Sequence, residues 1–290
     1  MKLLLAAALL ATSSATSTAA PPAPHHPKAK ATHPPRTEGA NKSELDQPSK
    51  PFFKPSETRS TGTVTVGGQP IAFDAIAGTL VVHAKEWEDT DAAEADADKS
   101  ADKSKNAPKP EASMFYTAYF RQGVPTATRP ITFLFNGGPG SSTVWLRMGA
   151  FGPVRVVTAD ARHTPGPYST VNNDQSLLDA SDLVFIDAPG TGFSRVAGKD
   201  KEKAFYGVDQ DIHAFTDFIR QFLSKYGRWG SPKYLFGESY GTMRAAGLTL
   251  ALQKADVDLN GVMLLSDILN WDMLPDDPQV NPGVDIPYVV

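Results

Sequence analysis

The stretch Lys233-Tyr-Leu-Phe-Gly-Glu-Ser-Tyr-Gly-Thr-Met-Arg244 decides how the rest of the chain is read. An apolar run stops at a serine flanked by glycines and resumes with a helical pattern, which predicts a strand, a sharp turn and a helix. Gly237 and Gly241 stand two positions either side of Ser239. Having no Cβ, they let the strand and helix backbones approach one another. Such a turn, a nucleophile elbow, lifts the serine Oγ clear of the sheet and sets it at the positive end of the following helix. There a backbone N–H can meet a developing oxyanion. The plainer alternative is a glycine-rich strand exit carrying a surface serine, and the pentapeptide alone does not separate the two.

Two other stretches supply context. Ile131-Thr-Phe-Leu-Phe-Asn-Gly-Gly-Pro-Gly-Ser-Ser142 is an apolar strand running into a glycine loop, and Asp182-Leu-Val-Phe-Ile-Asp-Ala-Pro-Gly-Thr-Gly-Phe-Ser194 is a second strand with its own glycine turn. In this order, and together with Gly237-Glu-Ser-Tyr-Gly241, they resemble the serine carboxypeptidase family of α/β-hydrolases between residues 130 and 265. The resemblance implies an α/β fold, with a mostly parallel central sheet and helices on both faces. It also implies hydrolysis of peptides through an acyl-enzyme on Ser239, with the backbone N–H groups of Gly138 and Tyr240 as oxyanion donors. Asn136 matches the family asparagine that helps hold the substrate's terminal carboxylate, with Gly137 and Glu238 beside it. Read as residues alone, Asn136-Gly-Gly-Pro139 also suits an ordinary turn, and Glu238 a solvated or ion-paired carboxylate.

Two departures from the family pattern stand out. The glutamate that the family carries before a Leu-Gly-Pro step, and which shares a proton with the glutamate of the elbow, corresponds here to Ala150 in Ala150-Phe-Gly-Pro153. Glu238 therefore lacks the acidic partner that would raise one pKa of such a pair. Ser141 replaces the family cysteine after Gly-Gly-Pro-Gly. The chain has no cysteine at all, which excludes disulfides, a thiol nucleophile and cysteine metal sites.

The chain begins with Lys2, an apolar run from Leu3 to Ala11 and a Ser/Thr/Ala tract to Ala20. Residues 1–20 read as an export signal, too short to be a membrane anchor. Residues 21–60, rich in Pro, Ser, Thr, Lys and His, read as a disordered linker. His25, His26 and His33 lie there without the spacing of a metal site, and no metal or cofactor is expected. Residues 61–290 read as a partial hydrolase domain with a low-complexity acidic insertion at 86–111. Short β-type runs at Thr63–Val66, Gln69–Phe73, Thr79–His83 and Ser113–Arg121 precede the strand Ile131–Phe135. Val208, Ile212, Phe215, Ile219 and Phe222 recur at steps of four and three, as an amphipathic helix requires. A helix Tyr240–Lys254 and a strand Leu259–Leu265 follow the elbow. The formal charge of −4, with no basic stripe, argues against a nucleic-acid partner.

In this fold the triad order is Ser, Asp or Glu, then His. All six histidines, at positions 25, 26, 33, 83, 163 and 213, precede Ser239. His213 falls off the apolar stripe of its helix and reads as a surface or packing residue. Asp267, Asp272, Asp276 and Asp285 come too early to match the family's triad aspartate. The sequence thus holds a nucleophile and an oxyanion loop without a base downstream. Three readings stay open at this point: a fragment of an exported carboxypeptidase-like hydrolase, inactive alone; an acyltransferase or esterase of the same fold; and a non-catalytic binding module. Oligomeric state is not legible.

Overall fold

Ile131–Phe135 and Asp182–Ile186 are buried at every position, a pattern that arises only where a strand is covered on both faces. The computed structural model describes residues 51–85, 109–158 and 166–267. Its elements in chain order are β1 (Ser56–Val66), β2 (Gln69–His83), β3 (Glu111–Arg121), β4 (Ile131–Phe135), β5 (Val154–Val156), β6 (Thr170–Asn172), β7 (Asp182–Ile186), β8 (Arg195–Ala197), α1 (Lys201–Phe205), α2 (Val208–Lys225), β9 (Lys233–Glu238), α3 (Tyr240–Lys254) and β10 (Gly261–Leu265). A π-helical turn, Leu146–Phe151, follows the loop after β4, and a 3-10 turn, Leu177–Asp179, precedes β7.

The sheet runs in the order β1-β2-β3-β7-β4-β9-β10, with β8 also pairing with β3. β7, β4, β9 and β10 are mutually parallel. β1, β2 and β3 form an antiparallel meander that joins β7. This is the α/β architecture that the sequence implied. Alternate residues feed two cores. Phe133, Phe135, Val184, Ile186 and Leu235 face α2 and α3, whereas Leu134, Leu183, Phe185 and Phe236 face the two helical turns. Among the described residues no helix is long and apolar enough to cross a membrane.

At the N-terminal end of the parallel strands, Asp182 accepts from Arg129 Nε at 2.9 Å and from Arg228 Nη1 at 2.6 Å. That arrangement braces the sheet floor and leaves its C-terminal edge for the loops after β4, β7 and β9.

Several boundaries differ from expectation. β1 starts at Ser56, inside the segment read as linker to residue 60. Ser56–Ser60 are exposed, yet they pair with Thr79–Ala75 through their backbones, so no apolar period marks them. The runs Gln69–Phe73 and Thr79–His83 are one strand. Burial passes from odd positions (Ile71, Phe73) facing one core to even positions (Ile76, Leu80, Val82) facing the other, and that change of phase reads as a break. β3 begins at Glu111 rather than Ser113, and β10 at Gly261 rather than Leu259. On α2, Phe215, Ile219 and Phe222 are buried as the stripe predicts, joined by Phe218 and Leu223, whereas Val208 is 47% exposed. The export signal, most of the linker, residues 86–108, His163, Asp272, Asp276 and Asp285 lie outside the described residues.

Candidate active site

Ser239 stands between β9 and α3 with φ 57° and ψ −124°. A non-glycine residue at positive φ costs about 1–3 kcal/mol and persists only where its surroundings over-determine it. Here they do. Ser239 N donates to Leu265 O of β10 at 2.9 Å, and Thr242 caps Ser239 O with both its N–H, at 2.8 Å, and its hydroxyl, at 2.7 Å. A Cβ on Gly237 would collide with Gly241 O and stand 2.6 Å from its carbonyl carbon, and one on Gly241 would meet Phe135 O at 2.9 Å. Both glycines are therefore required by close approach, as the sequence suggested. Ser239 is half-buried and Tyr240 heads α3. The first N–H groups of a helix have no intrahelical acceptor, so that of Tyr240 is available to a ligand.

The loop after β4 comes to the same place. A Cβ on Gly137 would collide with Tyr240 N and stand 2.7 Å from Glu238 O and Gly241 N. This glycine backbone is thus laid directly on the elbow. Gly138 follows, exposed, with φ 107°. Asn136 is buried, and its polar atoms are committed. Its Nδ2 donates to Glu238 Oε2 at 2.9 Å, its Oδ1 accepts Leu146 N at 3.1 Å, its N–H meets Thr143 Oγ1 at 3.3 Å, and its carbonyl accepts Arg244 Nη1 at 2.9 Å. Asn136, Gly137, Gly138, Glu238, Ser239 and Tyr240 therefore gather at one corner of the sheet's C-terminal edge. Ala150 lies in the π-helical turn, where its carbonyl accepts Asn173 Nδ2 at 2.6 Å. The partner of Glu238 is an amide rather than a second carboxyl.

Two residues carry weight here that sequence reasoning left without a role. Asp187, after β7, accepts Ser142 Oγ at 3.0 Å, Thr143 N at 2.8 Å and Phe193 N at 3.1 Å, and so clips the loop after β4 to the loop after β7. The signal was present in Asp187-Ala-Pro-Gly, an acidic residue where a buried strand ends. Arg244 is buried under the elbow, where its Nε donates to Asp211 Oδ2 of α2 at 2.7 Å. Burial pushes the Asp211 carboxyl above its ordinary range, against the pull of Arg244. The Tyr240 hydroxyl is pushed up by burial and then by Asp211, with Arg244 opposing.

Trp145 and Phe193, 70% and 68% exposed, stand on the loops after β4 and β7. His83 and His213 lie elsewhere, lining a groove between the end of β2 and α2 with Asp217 and Arg220. Among the described residues no group of three or more His, Asp or Glu is arranged to hold a metal ion.

The sequence model of the family described as serine carboxypeptidase matches residues 103–266. The chain is 30% identical over 169 residues to serine carboxypeptidase-like 51 of Arabidopsis thaliana, the alignment covering 54% of this chain and 34% of that protein. To the retinoid-inducible serine carboxypeptidase of Homo sapiens it is 33% identical over 131 residues, 43% of this chain and 25% of that one. The match thus spans only a minor part of these relatives' length. A crystal structure of Kex1(delta)p, a prohormone-processing carboxypeptidase from Saccharomyces cerevisiae, superposes with a TM-score of 0.48 at 21% identity, covering 66% of this chain and 38% of that one.

Proposed function

The chain belongs to the serine carboxypeptidase family, whose sequence model accounts for residues 103–266, and from that premise we propose that Ser239 is the nucleophile of an acyl-transfer site for peptides. The observation that carries this reading is the backbone of Gly137 lying against Tyr240 N while Ser239 is held at positive φ. In the reaction, Ser239 Oγ attacks the scissile carbonyl and its proton passes to a general base. The carbonyl oxygen becomes an oxyanion that the N–H groups of Gly138 and Tyr240 would stabilise. Collapse expels the amine with a proton and leaves an acyl-serine, which water then cleaves. Asn136, oriented by the hydrogen bond that its Nδ2 gives Glu238, would offer the second hydrogen of that amide to the substrate's terminal carboxylate beside Gly137. Residues 1–20 would direct export.

The general base is the part this sequence does not supply downstream of Ser239. We therefore expect the 290-residue chain alone to turn over a blocked dipeptide at a rate on the order of 10⁴-fold or more below an ordinary enzyme, the residue left by oxyanion donors and binding. Turnover at full rates that vanishes in Ser239→Ala would overturn that expectation. The nucleophile itself is tested separately. Prolonged exposure to a fluorophosphonate, followed by peptide mass mapping, should place the adduct on Ser239 and on no residue of Ser239→Ala. An adduct spread over other serines sinks the assignment.

A further inference from the structure

Arg244 lies one turn into α3, and its side chain is 1% exposed. Three elements converge on its guanidinium. From α2, Asp211 accepts its Nε, and the Phe215 ring centroid stands 4.5 Å away. From the end of β4, the Asn136 carbonyl accepts its Nη1, and the Phe135 ring lies at 5.4 Å. From α3 itself, the Tyr240 ring lies at 5.3 Å. The cation is thus boxed by three aromatic faces and fixed by two hydrogen bonds, an arrangement that leaves it one orientation.

A helix-to-helix brace would account for Asp211 and Phe215 alone. Buried ion pairs are a poor way to gain stability, because desolvation offsets much of the attraction and apolar residues of similar volume do the same work. What an apolar brace cannot do is donate to a backbone carbonyl. The carbonyl that Arg244 holds belongs to the Asn136–Gly137 peptide, one peptide before the Gly138 N–H. The ring it faces belongs to the residue whose N–H is the other oxyanion donor. We infer that Arg244, oriented by Asp211, is a positioning residue that fixes the Gly138 and Tyr240 amides relative to one another. This rests on the acyl-transfer reading only for what the two amides are for; the clamp itself is a statement about the loop after β4.

Lysine discriminates between brace and clamp. It can pair with Asp211, but a single ammonium on a flexible stem does not reproduce the planar fork that reaches Asp211 and Asn136 together. In the full 290-residue chain, Arg244→Lys should leave the thermal unfolding midpoint within a few degrees of the parent. The amides of Ser141 and Leu146, bonded to Gly137 O and Asn136 Oδ1, should exchange with solvent faster by about tenfold to a hundredfold, the equilibrium worth of one charge-assisted hydrogen bond. The 1H–15N signals of Gly138 and Tyr240 should move, while those of the β1–β2 hairpin stay fixed. Unchanged exchange and unchanged Gly138 and Tyr240 signals would overturn the inference, whatever the unfolding midpoint.

If Arg244→Lys does not fold, Asp211→Asn is read in the same way. It keeps the arginine and frees its Nε from a charged acceptor, and signals identical to the parent's would again overturn the inference. The fluorophosphonate result keeps the two readings apart. A chain whose adduct spreads over other serines while its loop still responds to Arg244→Lys loses the catalytic reading and retains the clamp; one labelled at Ser239 whose loop ignores the substitution loses the clamp alone.

Discussion

At the scale of single residues, the corner around Ser239 is governed by where a side chain is forbidden. Gly137 is the sharpest case, because the atoms a Cβ would meet are all backbone: Tyr240 N, Glu238 O and Gly241 N. None can rotate away as a flexible side chain would, so either the loop lifts from the elbow or the elbow opens. Gly137→Ala should lower the free energy of unfolding in urea by about 1–3 kcal/mol, the usual cost of overpacking. Gly149 lies in the π-helical turn that follows, with nothing within 4 Å of where its Cβ would stand, and should tolerate alanine within about 0.5 kcal/mol. Equal effects at the two glycines would mean that the close packing of loop on elbow is not what holds this corner. The glycines were legible in the sequence because a missing Cβ is a property of the letter itself. Arg244 and Asp211 were not read, although a trace was there. Arg244 is the sole charge in Tyr240–Leu252, and Asp211 sits four residues before Phe215 on the apolar face of its own helix. A charge on each of two otherwise apolar helix faces is a pattern that pairwise packing explains, and one that a search for catalytic motifs passes over.

At the scale of elements, α2 shows what periodicity can and cannot see. Steps of three and four identified Phe215, Ile219 and Phe222 correctly, because those residues lie above the middle of the sheet. The rule failed at Val208, since the first turn of a helix can overhang the sheet edge without any change in its spacing. It also missed Phe218, because the buried face of a helix packed between a sheet and another helix is wider than one stripe. Phe222 is fully buried, and its ring lies 4.5 Å from that of Tyr226, 5.3 Å from Tyr116 and 5.7 Å from Phe133. It therefore joins α2 to both the meander and the parallel strands. Phe222→Ala should cost about 3–5 kcal/mol, whereas Val208→Ala on the same helix should fall within about 0.5 kcal/mol. Chemical denaturation of the two variants checks the contrast, and a cost below about 1 kcal/mol at Phe222 would contradict the packing described. The strands followed the same logic in reverse. β4 and β7 were legible as unbroken apolar runs, while β1 began earlier than its composition suggested because backbone pairing and polar side-chain bonds, rather than apolar burial, recruit Ser56–Ser60.

At the scale of the whole molecule, two carboxylates respond to acid in opposite senses. The carboxyl of Glu57 on β1 is pulled from 4.5 down to about 2, first by its hydrogen bond with Lys225 and then by that with Arg59. Lys225 Nζ stands 2.7 Å away on α2, and Tyr226 also donates to Glu57, at 3.0 Å. Asp211 moves the other way, raised by burial. A group whose folded value is depressed adds stability above its unfolded value, and that contribution is lost as pH falls through the folded one. A raised group does the reverse, its contribution being present below the unfolded value and lost as pH rises through the folded one. Glu57 therefore weakens the fold between pH 4.5 and about 2, whereas Asp211 strengthens it on acidification. Because Glu57 and Lys225 are both partly exposed, solvent screening limits the pair to under about 1 kcal/mol. The expected outcome for Glu57→Gln is a flatter fall of the urea midpoint across that acid window, with little change at neutral pH beyond the lost pair. In the parent chain, salt at about 1 M should flatten the same limb, since screened surface charges contribute less. An acid limb that is equally steep in parent and variant would show that the Glu57–Lys225 pair adds nothing measurable to stability, with Glu57 a bystander.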